Sequence, residues 1–260
     1  HEIAAAAGVK DVPPGVLSAD VRIGGRLDSA DVEVKLGVKD FKAPGLPSSF
    51  QAAQVDVLTT LKANRLVLDA KVNQAPLQPI VLKADVPVVL ADLIKNPDLA
   101  MDLPIQATLD MAESDLSFVR EFAPEVLQAI PAKMKLNAKV GGTVKAPLID
   151  SALDLDVPTV SFASADLPSV RDVRVRLRTH DRQATIEDIS LLLAGGRVKL
   201  GGTIDAAKLD DPRFNLKLEA REALVFRNPT SSVRANADIT CVGGMKAAHL
   251  ERLKSAGVEV

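Results

Sequence analysis

The chain is poor in side chains that act in concert as catalysts. Its histidines, His1, His180 and His249, are scattered and show no metal-ligand spacing. Cys241 is the only cysteine, which excludes a disulfide framework, a thiol pair and a cysteine-built zinc site. No Ser/His/Asp or Cys/His arrangement stands out, and Asp and Glu fall mostly on the polar side of alternating runs. A carboxylate pair assembled in space stays open, because such dyads are defined by geometry. His180-Asp181, flanked by Arg178 and Arg182, reads as a solvated polar turn. The expectation is a non-enzyme with no catalytic residues, no metal and no cofactor.

Two further segments invite a chemical reading. Gly196-Arg197-Val198-Lys199-Leu200-Gly201-Gly202-Thr203 has the spacing of a phosphate-binding loop. Gly202 stands where the phosphate-reaching lysine belongs, and the segment alternates like a strand, so a turn and strand is expected. Arg171, Arg174, Arg176 and Arg178 are the one local basic concentration. Arg174, Arg176 and Arg178 share one strand face, which is either an ordinary solvated face or a contact for lipid phosphate, to which guanidinium geometry is suited. Asn228-Pro229-Thr230 fails as a glycosylation acceptor because proline holds the middle position.

Composition narrows the class. The 260 residues are 47% hydrophobic and 25% charged, neither disordered nor membrane-spanning in character. Leu, Val, Ile and Ala supply nearly all of the apolar content, whereas Trp and Tyr are absent. Recognition sites usually keep such rings for their polar handle, so smooth aliphatic surface is implied. The net charge of −2 offers no general attraction to nucleic acid or anionic membrane. The chain starts at His1 without a signal segment, and both ends read as cuts in a longer polypeptide.

The elements that must position these residues are strands. Leu17, Ala19, Val21 and Ile23 alternate with Ser18, Asp20 and Arg22, one of at least eight runs of this kind. A period of two marks strands with one apolar face, so a mainly β, antiparallel chain is expected. Glycine pairs at 24–25, 141–142, 195–196, 201–202 and 243–244 punctuate it, mostly after an apolar strand end, as turns or bulges require. Helical spacing occurs in three places. Asp115–Ile130 has Ser114 or Asp115 as N-cap and is kinked or divided by Pro124; Val88–Ile94 and residues 245–256 are the others. The stretch 43–49 is expected as a loop.

Asp115-Leu116-Ser117-Phe118 with Phe122-Ala123-Pro124, then Leu136 through Val144 and Lys145-Ala146-Pro147-Leu148, resembles the repeat of the TamB/AsmA-like family. Ile189–Asp205 is similar to another of its recurring units, and Phe226–Thr230 leading into Val233–Ile239 resembles its C-terminal region. The resemblance covers roughly residues 10–245. Residues 1–244 are thus expected as a repeating β-groove segment, and 245–260 as a segment off the family pattern. The resemblance implies a periplasmic protein anchored in the inner membrane, whose curved antiparallel sheet forms a half-pipe, or β-taco, with an aliphatic interior. It implies phospholipid acyl chains as partners, conducted between inner and outer membranes, or a scaffold for outer-membrane protein assembly with an outer-membrane barrel assembly protein as partner. No nucleic-acid partner is expected.

If the sheet curls in this way, Val32, Val34, Leu36, Leu136, Ala138, Val140, Leu153, Leu155, Leu191, Leu193, Leu216 and Leu218 face inward, and their charged neighbours face water. Physics alone leaves two other outcomes for a one-sided aliphatic sheet, a sealed β-sandwich or a β-helix.

Overall fold

Side chains of one kind at alternate positions fall on one side of a pleated strand, and this chain repeats that pattern from strand to strand. The computed structural model describes residues 15–26, 29–42, 45–164, 167–207, 211–227 and 232–244, with residues 225–227 by backbone only. They form a mainly β structure with one antiparallel sheet that is not closed into a barrel. The strands divide between two units, each with its own packing.

The first unit carries β1 (Val16–Arg26), β2 (Ser29–Phe41), β3 (Ala53–Lys62), β4 (Arg65–Asn73), β5 (Ile80–Pro87) and β6 (Gln106–Asp115), paired in sequence order. The second contains the short β7 (Leu127–Ala129), then β9 (Pro147–Phe162), β10 (Val170–His180), β11 (Gln183–Leu193), β12 (Gly196–Asp205), β13 (Arg213–Arg227) and β14 (Ser232–Gly244), again neighbours in order, with β7 on β9. Between them in sequence, β8 (Lys133–Gly142) gives its first residues to the second unit and its last to the first. Neighbours in sequence are neighbours in the sheet, so hairpin connections suffice.

In the first unit the registers stack aliphatic residues into continuous rows. Val21 lies opposite Val34, which continues through Thr59, Leu68, Ala84 and Ala107. The next row is Ala19, Leu36, Val57, Ala70, Leu82 and Leu109. Directly opposed residues share a face, so these rows make one aliphatic side. The other side carries charge: Asp20 opposes Lys35, Arg22 opposes Glu33, and Asp69 opposes Lys83.

The buried apolar residues of this unit collect at the strand ends. Phe50, Ala53 and Met111 lie at one end, Leu61 and Val88 at the other, and the rows between are half-exposed. Ser114 is 0% exposed; its Oγ accepts from the Gln78 amide (3.0 Å) and donates to the Ala112 carbonyl (3.1 Å).

Three expectations change. The helix over Asp115–Ile130 is replaced by the end of β6, one 3₁₀ segment at Ser117–Phe122, and β7. Pro124 interrupts the helical ladder, and strand pairing of Leu127 with Phe162 takes the rest. Ser114 is no cap, although Asp115 Oδ1 accepts from the Ser117 amide at 2.7 Å. Four of the glycine pairs fall at strand ends, 24–25 near the end of β1, 141–142 and 243–244 closing β8 and β14, and 195–196 at the β11–β12 turn with Ala194 (φ 47°) and Gly195 (φ 87°), but the pair at 201–202 lies inside β12. Gly202, at φ 139°, sits where a Cβ would strike the Asn215 carbonyl, so the pair at 201–202 permits close approach of β13 to β12.

The short helix near Val88–Ile94 is present as α1 (Leu90–Lys95). The helix expected over 245–256, and with it the separate segment 245–260, lies outside the described residues.

Candidate functional site

Strand register decides which side chains meet. In the second unit Leu155, Val175, Ile189, Leu200, Leu218 and Ile239 form one row across six strands. Beside it lie Leu153, Leu177, Ile186, Gly202, Leu216 and Cys241. Leu191 and Leu193 belong to the same side, opposite Val198 and Gly196. Of the residues expected to line a groove, Leu153, Leu155, Leu191, Leu193, Leu216 and Leu218 therefore share one face of the second unit. Val32, Val34 and Leu36 share the aliphatic face of the first, opposite Ile23, Val21 and Ala19. Leu136, Ala138 and Val140 alternate in β8 with exposed Lys135 and Lys139.

These faces are not sealed. Among the described residues the buried apolar side chains of the second unit are Ala132, Val157 and Ala223, and every row named above is half-exposed or exposed. The edge strand β1 is the extreme, with Leu17 at 61%, Val21 at 57% and Ile23 at 78%. Singly exposed apolar residues are unremarkable, but contiguous apolar rows mark interaction surfaces or ligand-binding grooves.

The opposite face of the second unit is a ladder of charge. Arg176 Nη2 donates to both carboxylate oxygens of Asp156 at 2.7 Å, and its Nε is 3.6 Å from Asp154. The hydrogen bond it donates to Asp156 is the chief reason its guanidinium is held charged even more firmly than usual. Arg178 Nη1 is 2.7 Å from Asp154 Oδ1, and its Nε is 3.4 Å from Glu187. Two of the three arginines expected to contact lipid phosphate are thus neutralised by carboxylates of their own unit. Arg174 opposes Asp156 and Ser190 in register and makes no ion pair within 4.0 Å among the described residues. It borders a depression of about 280 Å³ with Asp172, Asp188, Arg197 and Lys199. All three arginines lie on the side opposite Leu153, Leu155 and Leu177, because successive residues alternate.

A cluster not anticipated from sequence joins Asp150, His180 and Asp181. His180 Nδ1 lies 2.5 Å from Asp150 Oδ1, and Nε2 lies 3.8 Å from Asp181 Oδ2. The Asp150 hydrogen bond, then the charges of Asp181 and Asp150, raise the His180 pKa above its ordinary value. The turn itself is as expected, with Asp181 at φ 54°. Asp150 is missed because only the β9–β10 register, with Ser151 opposite Thr179, brings it beside His180. The three groups are exposed, and the two carboxylates approach different ring nitrogens, which an ion pair explains.

Among the described residues no helix is long and apolar enough to cross a membrane. The chain matches no family model, no curated protein and no solved structure.

Proposed function

We propose that this chain is a non-catalytic segment of a periplasmic envelope protein of the TamB/AsmA-like type. Its aliphatic faces take up phospholipid acyl chains for passage between inner and outer membranes. The supporting observation is the pairing of continuous aliphatic rows, such as Leu155–Val175–Ile189–Leu200–Leu218–Ile239, with incomplete burial of the same residues. Acyl chains suit such a surface because they need apolar area and no directed hydrogen bonds. Each CH₂ moved from water onto it gains up to about 0.8 kcal/mol, so a few methylenes per row suffice for binding.

The arrangement of charge fits the same reading. Asp154, Asp156, Arg176 and Arg178 neutralise one another on the far face, so the headgroup is left to solvent or to another part of the assembly. In a half-pipe the aliphatic rows form the inner lining and the charge ladder the outer skin.

Organic extraction of the purified chain followed by mass spectrometry tests this reading. Phospholipid recovered in near-stoichiometric amount, and lost from Leu216→Asp, is the expected result. Protein that carries no lipid and takes up none from vesicles contradicts it.

A further inference from the structure

On the charged side of the second unit, three cations are left over by the pairing of their neighbours. Asp156 is taken by Arg176 at 2.7 Å, and Glu219 by Lys217 at 2.5 Å. Arg174 stands opposite Asp156 and Lys199 opposite Glu219, so each faces a carboxylate that another cation already holds. Arg174, Arg197 and Lys199 make no ion pair within 4.0 Å among the described residues.

The register gathers these three around one depression. Ser190 of β11 lies between Arg174 of β10 and Lys199 of β12 in a single row, and Arg197 is two residues from Lys199 on the same face. Two strand spacings separate β10 from β12, about 9.5 Å. Ser190 is short, so long cationic side chains from both flanks reach over it toward a common point. Ser190, Arg174, Arg197 and Lys199 all line the depression of about 280 Å³. A bulge shapes it: the β10–β11 ladder skips a residue between Arg171 and Arg174, and Asp172 within that bulge has φ 52°. Bulges re-aim side chains and recur beside functional sites. Of the two carboxylates that line the depression, Asp188 is occupied, accepting from Ser190 Oγ at 3.0 Å and standing opposite Arg176. Asp172 is the other, and it has no ion pair among the described residues.

We infer that this depression is a phosphate site, with guanidinium donors from Arg174 and Arg197 and an ammonium from Lys199. Guanidinium presents paired N–H donors that match phosphate oxygens, and the lysine adds a point charge. All three cations are exposed, so binding is modest and weakens with salt. The sheet separates the site from the aliphatic rows, so a lipid whose acyl chains lie on those rows does not place its own phosphate here. The occupant is inorganic phosphate, or the headgroup of a phosphomonoester lipid whose acyl chains stay in a bilayer away from this face. Nothing in the site depends on acyl-chain uptake.

Inorganic phosphate is titrated into isotope-labelled protein at constant ionic strength, balanced with chloride, and backbone amide and arginine Nε–H signals are followed by NMR. Saturable shifts at Arg174, Ser190, Arg197 and Lys199 are expected. Arg174→Gln and Lys199→Gln should each weaken binding about tenfold, the loss of one charge-assisted hydrogen bond. Lys135→Gln removes the same charge from an exposed position on β8 and should leave binding unchanged. Asp172→Asn removes the unpaired carboxylate, keeps a residue type that tolerates positive φ, and should tighten binding. Sedimentation with phosphatidylcholine vesicles, with and without phosphatidic acid, separates the sources. Extra binding to the acidic vesicles that Lys199→Gln abolishes assigns the site to a membrane headgroup, and phosphate shifts without such binding assign it to the free ion. The absence of both saturable shifts and Lys199-dependent vesicle binding overturns the site. So does an equal loss of binding in Lys135→Gln.

Discussion

Leu216→Asp separates an open aliphatic face from a sealed core. Leu216 is partly exposed in β13, opposite Gly202 on one side and exposed Cys241 on the other, so no bulky side chain flanks it in register. With roughly two-thirds or more of its surface covered, the leucine's burial is worth about 1–2 kcal/mol, since full burial is worth roughly 1.5–3. Aspartate in an interior strand costs up to about 1 kcal/mol more. The carboxylate itself stays hydrated on an open face and adds little. The loss of stability is therefore about 2–3 kcal/mol, against about 4 or more where the site is closed and desolvation of an unpaired polar group is added. The chain has no Trp or Tyr, so unfolding in urea is followed by circular dichroism rather than intrinsic fluorescence. Uptake of a fluorescent phospholipid is measured on the same protein. A drop of about 2–3 kcal/mol with reduced lipid uptake is expected. A loss above 4 kcal/mol, or normal lipid uptake by a stable variant, refutes the reasoning.

Three other outcomes follow from the geometry. Ser114→Ala removes the acceptor of the part-buried Gln78 amide bond and should cost about 0.5–1.5 kcal/mol in urea unfolding; no measurable change would show that the hydrogen bond contributes nothing. Gly202→Ala, at φ 139° against the Asn215 carbonyl, should cost about 2–4 kcal/mol, whereas Gly141→Ala, with open space around it, should cost under about 1; equal effects would contradict the close approach of β12 and β13. His180 should titrate above the ordinary 6.5 in an NMR pH series, and Asp150→Asn should bring it back down. Because its pKa is raised on folding, the ion pair is fully formed below about 6.5 and lost as pH rises through the folded value. A midpoint at or below 6.5 in the native protein would remove the Asp150 contact from solution.

Much of this was legible in the residues. The alternation of Leu17 through Ile23, and of its successors, sets both the strand class and which side chains share a face within a strand. The P-loop-like segment at 196–203 lies in strand β12, directly after the turn at 194–195, in keeping with the missing lysine and the alternation. Register was beyond reach, because it depends on which strands meet and on bulges such as the one skipped between Ile186 and Ile189. That is why the carboxylates facing Arg176 and Arg178, and Asp150 beside His180, could not be foreseen. The Asp115–Ile130 segment misled because its apolar spacing suits a helix, whereas Pro124 and the pairing of β7 on β9 act over longer range. One glycine pair, 201–202, falls inside a strand instead of at its end. Gly202 serves a cross-strand approach invisible in its neighbours along the chain.

The central claim is that one side of each strand carries lipid and the other does not. In β13 adjacent residues settle it, since Leu218 lies in the aliphatic row and Lys217 on the charged face. A benzophenone amino acid placed at 218, and separately at 217, is irradiated with the protein in phospholipid vesicles, and adducts are read by mass spectrometry. Phospholipid adducts from position 218 and not from 217 are the predicted result. Equal labelling from both positions, or none from 218 in a folded protein, would contradict the account.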